Sequence, residues 1–127
     1  MVNALFNQTN YVATKRMLDA TMLRHEAIAS NLAHVETPNY KRIDLAPSFQ
    51  TQLKQAISTE NNAQIARTTP RLEVDPTAVA STRDGNTVQL ETELGHLQQN
   101  LVEHALETQL VTGNLLRLRL AITGRPA

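Results

Sequence analysis

The chain has 127 residues, room for one folding unit and not for two independent cores. Its 12 basic and 12 acidic side chains cancel, so no overall field draws it to nucleic acid or anionic lipid. The absence of cysteine removes disulfides, thiolate nucleophiles and the usual structural zinc sites.

Aromatic residues make up only 3% and tryptophan is missing, so aliphatic helix faces have to supply the packing. Arg16, Asp19, Arg24 and Glu26 interrupt every apolar run near the start, which argues against a cleavable signal segment. No window approaches the roughly 20 apolar residues needed to span a bilayer.

From about Thr9 to Leu32 there is neither proline nor glycine. Tyr11, Leu18, Met22, Ile28, Ala29 and Leu32 recur near one face at helical spacing, while Lys15, Arg16, Asp19, Arg24 and Glu26 mostly fall elsewhere. The pattern predicts an amphipathic helix of about 25 residues, with Leu18, Ile28 and Leu32 on the seam it offers to other helices.

The stretch Ser30-Asn31-Leu32-Ala33-His34-Val35-Glu36-Thr37-Pro38-Asn39-Tyr40-Lys41 then reads as a helix stop and turn. Pro38 disfavours the α conformation at Thr37, and Asn31 and Thr37 are expected to bond to backbone groups freed at the helix end. Asn39 suits a left-handed position. Tyr40 offers a ring with a polar tip, and Lys41 and Arg42 are expected to be surface charges beside the turn.

Residues 42–87 hold Pro47, Pro70 and Pro76 among many Thr, Asn and Gln, with few apolar runs. Ser48 is expected to cap a short helix with Phe49, Leu53 and Ile57 on one side. Gln64 to Arg67 and Arg71 to Val74 are expected to be short extended pieces, and the remainder irregular, with too little hydrophobic surface to cover the flanking helices.

Asp84-Gly85-Asn86 is a strong turn signal. After it, from about Leu90 to Ile122, Leu94, Leu97, Leu101, His104, Thr108, Val111, Leu115 and Leu118 step by threes and fours as a heptad seam. His104 and Thr108 are polar members of the kind that fix register or partner choice. Glu91 and Glu93 near the start and Arg117, Arg119 and Arg125 near the end suit the helix dipole, and Gly124 and Pro126 close the helix. Gly113 sits inside it at a cost of about 1 kcal/mol relative to alanine; close approach of a neighbouring backbone or simple surface tolerance would each account for it.

The turn stretch resembles the N-terminal pattern of the flagellar rod and hook axial protein family, roughly S-N-x-A-N-x-x-T-P-G-Y-K. Asn31, Ala33, Thr37, Pro38, Tyr40 and Lys41 match, His34 stands for the second Asn and Asn39 for the Gly. The block Asp84-Gly85-Asn86-Thr87-Val88-Gln89-Leu90-Glu91 is similar to the D-G-N-x-V-x-L/M-D/E stretch that opens the C-terminal helix of FlgB-type members. Asn100 matches a family Asn, while His104 stands where Tyr is frequent.

The resemblance covers both termini and implies a structural subunit of the proximal rod of the flagellar basal body, exported by the flagellar type III system without a cleavable signal peptide. It further implies assembly in the periplasm with copies of itself, a rod-base adaptor of the FliE type, FlgC-type rod subunits, and the export gate or inner-membrane ring. A FlgC-type rod subunit, or a cytosolic helical adaptor or secretion chaperone, is the alternative.

The fold expected is mainly α. It has long N- and C-terminal amphipathic helices packed as a coiled-coil-like pair, and an irregular middle with a short helix and short extended pieces. The chain divides as 1–41, 42–87 and 88–127 within one structural unit. Two such helices leave part of each stripe wet, which neighbouring copies are expected to cover, with the termini ordering as subunits add.

No catalysis, cofactor or metal is expected. His25, His34, His96 and His104 lack metal-ligand spacing, although His25 and His104 could face each other across an antiparallel pair. No phosphate loop or nucleophile elbow occurs.

Overall fold

The computed structural model describes residues 8–124. Arg125 and Pro126, and the first seven residues of the 1–41 segment, lie outside the described residues. The element order is α1 (Gln8–Ala33), β1 (Ile43–Leu45), α2 (Pro47–Ser58), α3 (Asn62–Arg67), β2 (Leu72–Val74) and α4 (Leu90–Thr123).

The two long helices arise in stretches without proline, the second tolerating Gly95 and Gly113 inside it, and end where turn residues follow. Beyond α1, Asn39 takes φ 62°, and α4 stops at Gly124, whose φ of 65° lets its N–H reach the Leu120 carbonyl at 2.7 Å. The helices run antiparallel. Asn31 near the end of α1 meets Glu93 near the start of α4, while Thr21, further back, meets Asn100 and Glu107, further on.

The face that α1 buries differs from the expected one. Ala13, Ala20, Ala27 and Ile28 are buried along with Thr21 and Asn31, whereas Met22 and Ala29 are exposed and Leu18 and Leu32 half-buried. Three alanines at seven-residue spacing let neighbouring elements close in, and larger side chains there would hold them apart.

The middle segment carries more structure than its composition suggests, and it does cover α1. Phe49, Leu53 and Ala56 of α2 and Ile65 of α3 pack with Ala13 and Ala20 into the hydrophobic cluster, with Ile57 half-buried at its edge. Ser48 is not the cap: Ala46 occupies that position without a side-chain bond and Pro47 begins the helix, its fixed φ already suited to the first turn.

The expected extended piece at Gln64 to Arg67 is helical instead. The Asn61 side chain accepts the Gln64 N–H at 3.1 Å, and turning the segment into a helix puts Ile65, fully buried, into the core. Arg71 to Val74 is extended as expected over Leu72–Val74, which pairs antiparallel with β1 in the register Ile43 to Val74 and Leu45 to Leu72.

Candidate functional site

The two sequence blocks that carry the family resemblance, 30–41 and 84–93, dock onto each other and form a clasp between the long helices. Asn86, almost fully buried, donates through Nδ2 to the carbonyls of His34 (2.8 Å), Val35 (3.0 Å) and Thr37 (2.9 Å), and its Oδ1 accepts from the Val88 N–H. The turn carbonyls that follow α1 are therefore satisfied by Asn86 from about fifty residues away, while the Ser30, Asn31 and Leu32 carbonyls freed at the helix end accept from the His34 and Val35 N–H groups and not from the Asn31 or Thr37 side chains as expected. Thr37 takes part through its backbone, its N–H donating to the His34 carbonyl.

Around this centre the Asn39 N–H donates to the Asp84 carbonyl at 2.8 Å, and the Thr87 N–H to the Tyr40 carbonyl at 3.0 Å. Lys41, exposed, reaches the Gly85 carbonyl through Nζ. The Asp84 carboxylate accepts from the Thr82 hydroxyl and the Asn86 N–H, which holds its pKa below the usual carboxylate value. His34 stacks on Tyr40 with ring centroids 4.4 Å apart and planes 4° from parallel. Its Nδ1 lies 2.7 Å from the Ser30 carbonyl, so this nitrogen carries the proton. The larger ring in place of the family's Asn thus has a bond at the helix end and a stacking partner.

Gly85 has φ 77°, and a Cβ there would come within 2.6 Å of Asn39 Oδ1. Gly85→Ala is expected to cost about 1–3 kcal/mol through backbone strain and collision with the clasp, measured as a shift in the urea midpoint; an unchanged midpoint would show that the turn yields freely. Asn39→Gly, which relieves a left-handed side-chain residue, is expected to be neutral or slightly stabilising.

Beneath the turn lies an ion-pair network that the sequence reading missed. Arg42, 6% exposed, is not a surface charge. Its guanidinium grips the buried Glu93 with Nε at 3.1 Å and Nη2 at 3.2 Å, and reaches Asp44 and Asp75. Arg24 supplies a second cation to Asp44 at 3.1 Å.

Asn31, wholly buried, completes this layer. Its Nδ2 donates to Glu93 and to the Ile43 carbonyl, both at 2.8 Å, while its Oδ1 accepts from the Ile43 N–H and the Tyr40 hydroxyl. One amide thus ties α1 to β1 and α4. Burial works against the Arg42 charge, but hydrogen bonds and attraction from Glu93, Asp75 and Asp44 outweigh it and raise its pKa. Asp75 is pushed up by burial, yet bonds from Thr77 and Arg42 leave it below its ordinary value.

The buried line on α4 is polar. Glu93, Asn100 and Glu107 recur every seven residues and face α1, one position ahead of Leu94, Leu101 and Thr108. Asn100 donates to the Thr21 carbonyl at 2.9 Å, and Glu107 accepts from the Thr21 hydroxyl at 2.8 Å.

Of the predicted seam, Leu97, His104, Val111 and Leu118 are half-buried along the helix pair. Leu94, Leu101, Thr108 and Leu115 face out, the three leucines 43–51% exposed. Ile28 is buried, while Leu18 and Leu32 lie at the margin. Ala33 is exposed at the last position of α1, Pro38 is exposed in the turn, Val88 is buried and Leu90 is exposed. A Cβ on Gly113 would touch nothing within 4 Å, so among the described residues no backbone of another element approaches it.

Burial pushes the Glu107 carboxyl above its ordinary value, helped by Glu103 and opposed by the Thr21 bond and His104. The folded chain therefore holds this proton more tightly than the unfolded one. The associated stability is fully present below the ordinary glutamate pKa and is lost as pH rises through the folded value. Glu107→Gln is expected to remove that slope and to raise the unfolding midpoint at neutral pH; a lower midpoint at pH 7 would mean that the carboxylate is better satisfied than its surroundings indicate.

Two of the grooves among the described residues border both long helices. One, of about 360 Å³, holds Met22, His25, Asn100, Leu101 and His104, so the two histidines do share a cleft. The other, of about 470 Å³ and mostly apolar, lies between α1, α2 and α4. Among the described residues no group of three or more His, Cys, Asp or Glu is placed to hold a metal ion, and no helix is long and apolar enough to cross a membrane.

Fold and clasp together define a small helical subunit whose two chain-end helices are locked by a polar layer, with a line of leucines turned outward. No family model matches the chain. Comparison with individual proteins is more specific. The chain is 31% identical to the flagellar basal body rod protein FlgB of Borrelia hermsii, over 75% of this chain and 82% of that protein. It is 29% identical to FlgB of Aquifex aeolicus, over 87% and 90%, and 28% identical to FlgB of Borreliella burgdorferi, over 75% and 82%. The chain belongs to the FlgB family of flagellar basal body rod proteins.

Proposed function

We propose that the chain builds the proximal rod as a structural subunit that catalyses nothing, polymerising through its terminal helices with copies of itself and with adjoining rod components. The observation that carries this reading is the orientation of α4, which spends its polar heptad line on α1 and leaves Leu94, Leu101, Leu115 and Leu120 about half exposed. Leu94, Leu101 and Leu115 fall on one heptad line, and a row of outward apolar side chains marks an interaction surface.

In this reading the subunit reaches the periplasm through the flagellar export apparatus. It then links the export gate or inner-membrane ring and a FliE-type adaptor below to FlgC-type subunits above. Torque passes through apolar contacts distributed along the helices, while the clasp keeps the two helices from sliding past each other. A strain lacking the chain, complemented with a copy tagged in the exposed 77–83 loop, tests the reading. The tag is expected at the base of the rod in purified basal bodies, and a soluble cytoplasmic pool bound to one client, with none in basal bodies, would favour a chaperone instead.

A further inference from the structure

The larger groove has walls from three helices, including Met17 of α1, Phe49, Leu53 and Ile57 of α2, and Leu106 and Leu110 of α4. Glu103, Glu107 and Lys54 also line it, as does Arg24, which is committed to Asp44. The Glu107 carboxylate bonds to the Thr21 hydroxyl, and no cation pairs with it among the described residues. A buried carboxylate hydrogen-bonded to a hydroxyl and beside a second carboxylate, Glu103, on the wall of an apolar groove, is a recognition point for an incoming cation.

The same chain carries a surface with the matching chemistry. At about 3.6 residues per turn, Gly113, Leu116 and Leu120 lie on the side of α4 turned away from Glu107. Leu116 and Leu120 are 44% and 46% exposed, and the space beside Gly113 is open. Arg117 and Arg119 flank this ridge, exposed and without an ion pair among the described residues.

We propose that the groove takes the Gly113–Leu120 stretch of α4 from a second copy of the chain, with the second copy's Arg117 or Arg119 closing on Glu107 and Glu103. The fit in length supports this. The groove follows α1 from Met17 to Arg24 and α4 from Glu103 to Leu110, and each of these, like Gly113 to Leu120, is about two helical turns or roughly 10 Å. The glycine that costs α4 stability becomes the point where the two backbones come close. Because groove and ridge are different surfaces of one chain, the contact is heterologous and repeats along a filament or ring instead of closing on a pair.

The inference rests on the polymerisation proposed above. The chain contains no cysteine, so single-cysteine variants of the full-length protein report on the contact. Ile57→Cys mixed with Leu116→Cys under mild oxidation is expected to give about tenfold more linked dimer than Val79→Cys, exposed outside the groove, mixed with Leu116→Cys. Adding Arg117→Glu and Arg119→Glu to the Leu116→Cys chain is expected to cut the yield about tenfold with helix content unchanged by circular dichroism. Sedimentation equilibrium on the same samples separates the failures. Self-association without an excess of the 57 to 116 link overturns the groove assignment and leaves polymerisation standing. A chain that stays monomeric at every concentration and gives no link overturns both.

Discussion

Arg42→Ala is expected to destabilise the chain by about 3–5 kcal/mol, because it removes one partner of a buried pair and leaves Glu93 charged without compensation. The effect should be largest where the clasp is, since Glu93 also receives Asn31, and Asn31 fixes β1. Amide exchange is expected to speed up first at residues 31–43 and 84–93. Glu93→Ala should cost a similar amount, and the double variant less than the sum of the two, since neither charge is then left alone. Additive losses would show that Arg42 is held chiefly by Asp44 and Asp75. Asp75 gives the network its acid limit. Its pKa is lowered on folding, so its contribution is complete above the ordinary aspartate value and is lost as pH falls through the folded value.

The opposite separation of fold from assembly is expected for Leu94→Asp combined with Leu101→Asp. Both leucines are about half exposed in the chain, so the monomer should stay folded and lose about 1–3 kcal/mol of stability at most. Covering a leucine that is already half buried contributes about half of the roughly 1.5–3 kcal/mol of full burial, so losing two weakens subunit addition by about ten- to a hundredfold. Incorporation into basal bodies and swimming should both fail. Leu53→Asp is the contrast: that side chain is 5% exposed in the hydrophobic cluster, and its replacement should unfold the monomer itself. Normal swimming by the Leu94→Asp, Leu101→Asp variant would remove the outward leucines from the assembly surface.

Much of the architecture was legible because long amphipathic stretches without proline and strong turn residues act locally. The extents of α1 and α4, the left-handed Asn39 and the turn at Gly85 all follow from neighbours in sequence. What was not legible depends on partners far along the chain. Arg42 follows an exposed lysine and looks like one more surface charge, yet Asp44, Asp75 and Glu93 converge on it from three segments. The interior of α1 was obscured by its alanines, whose value lies in letting neighbours approach, a property that a hydrophobic pattern weights lightly. The same preference for leucine drew the seam one residue away from Glu93, Asn100 and Glu107, although their seven-residue repeat stands in the sequence. In α3, a lone apolar Ile65 among polar residues carried no period, and only its burial against α1 and α2 selects the helix.

A side-chain-resolution map of intact basal bodies tests the central claim most directly, because it shows both which surfaces of α4 are covered and whether the polar layer survives. The expected result is a proximal-rod subunit in which Leu94, Leu101 and Leu115 are buried against other axial proteins and Arg42 still grips Glu93 between α1 and α4. A rod in which those leucines face solvent, or in which the two helices separate and the Arg42–Glu93 pair is broken, would contradict it.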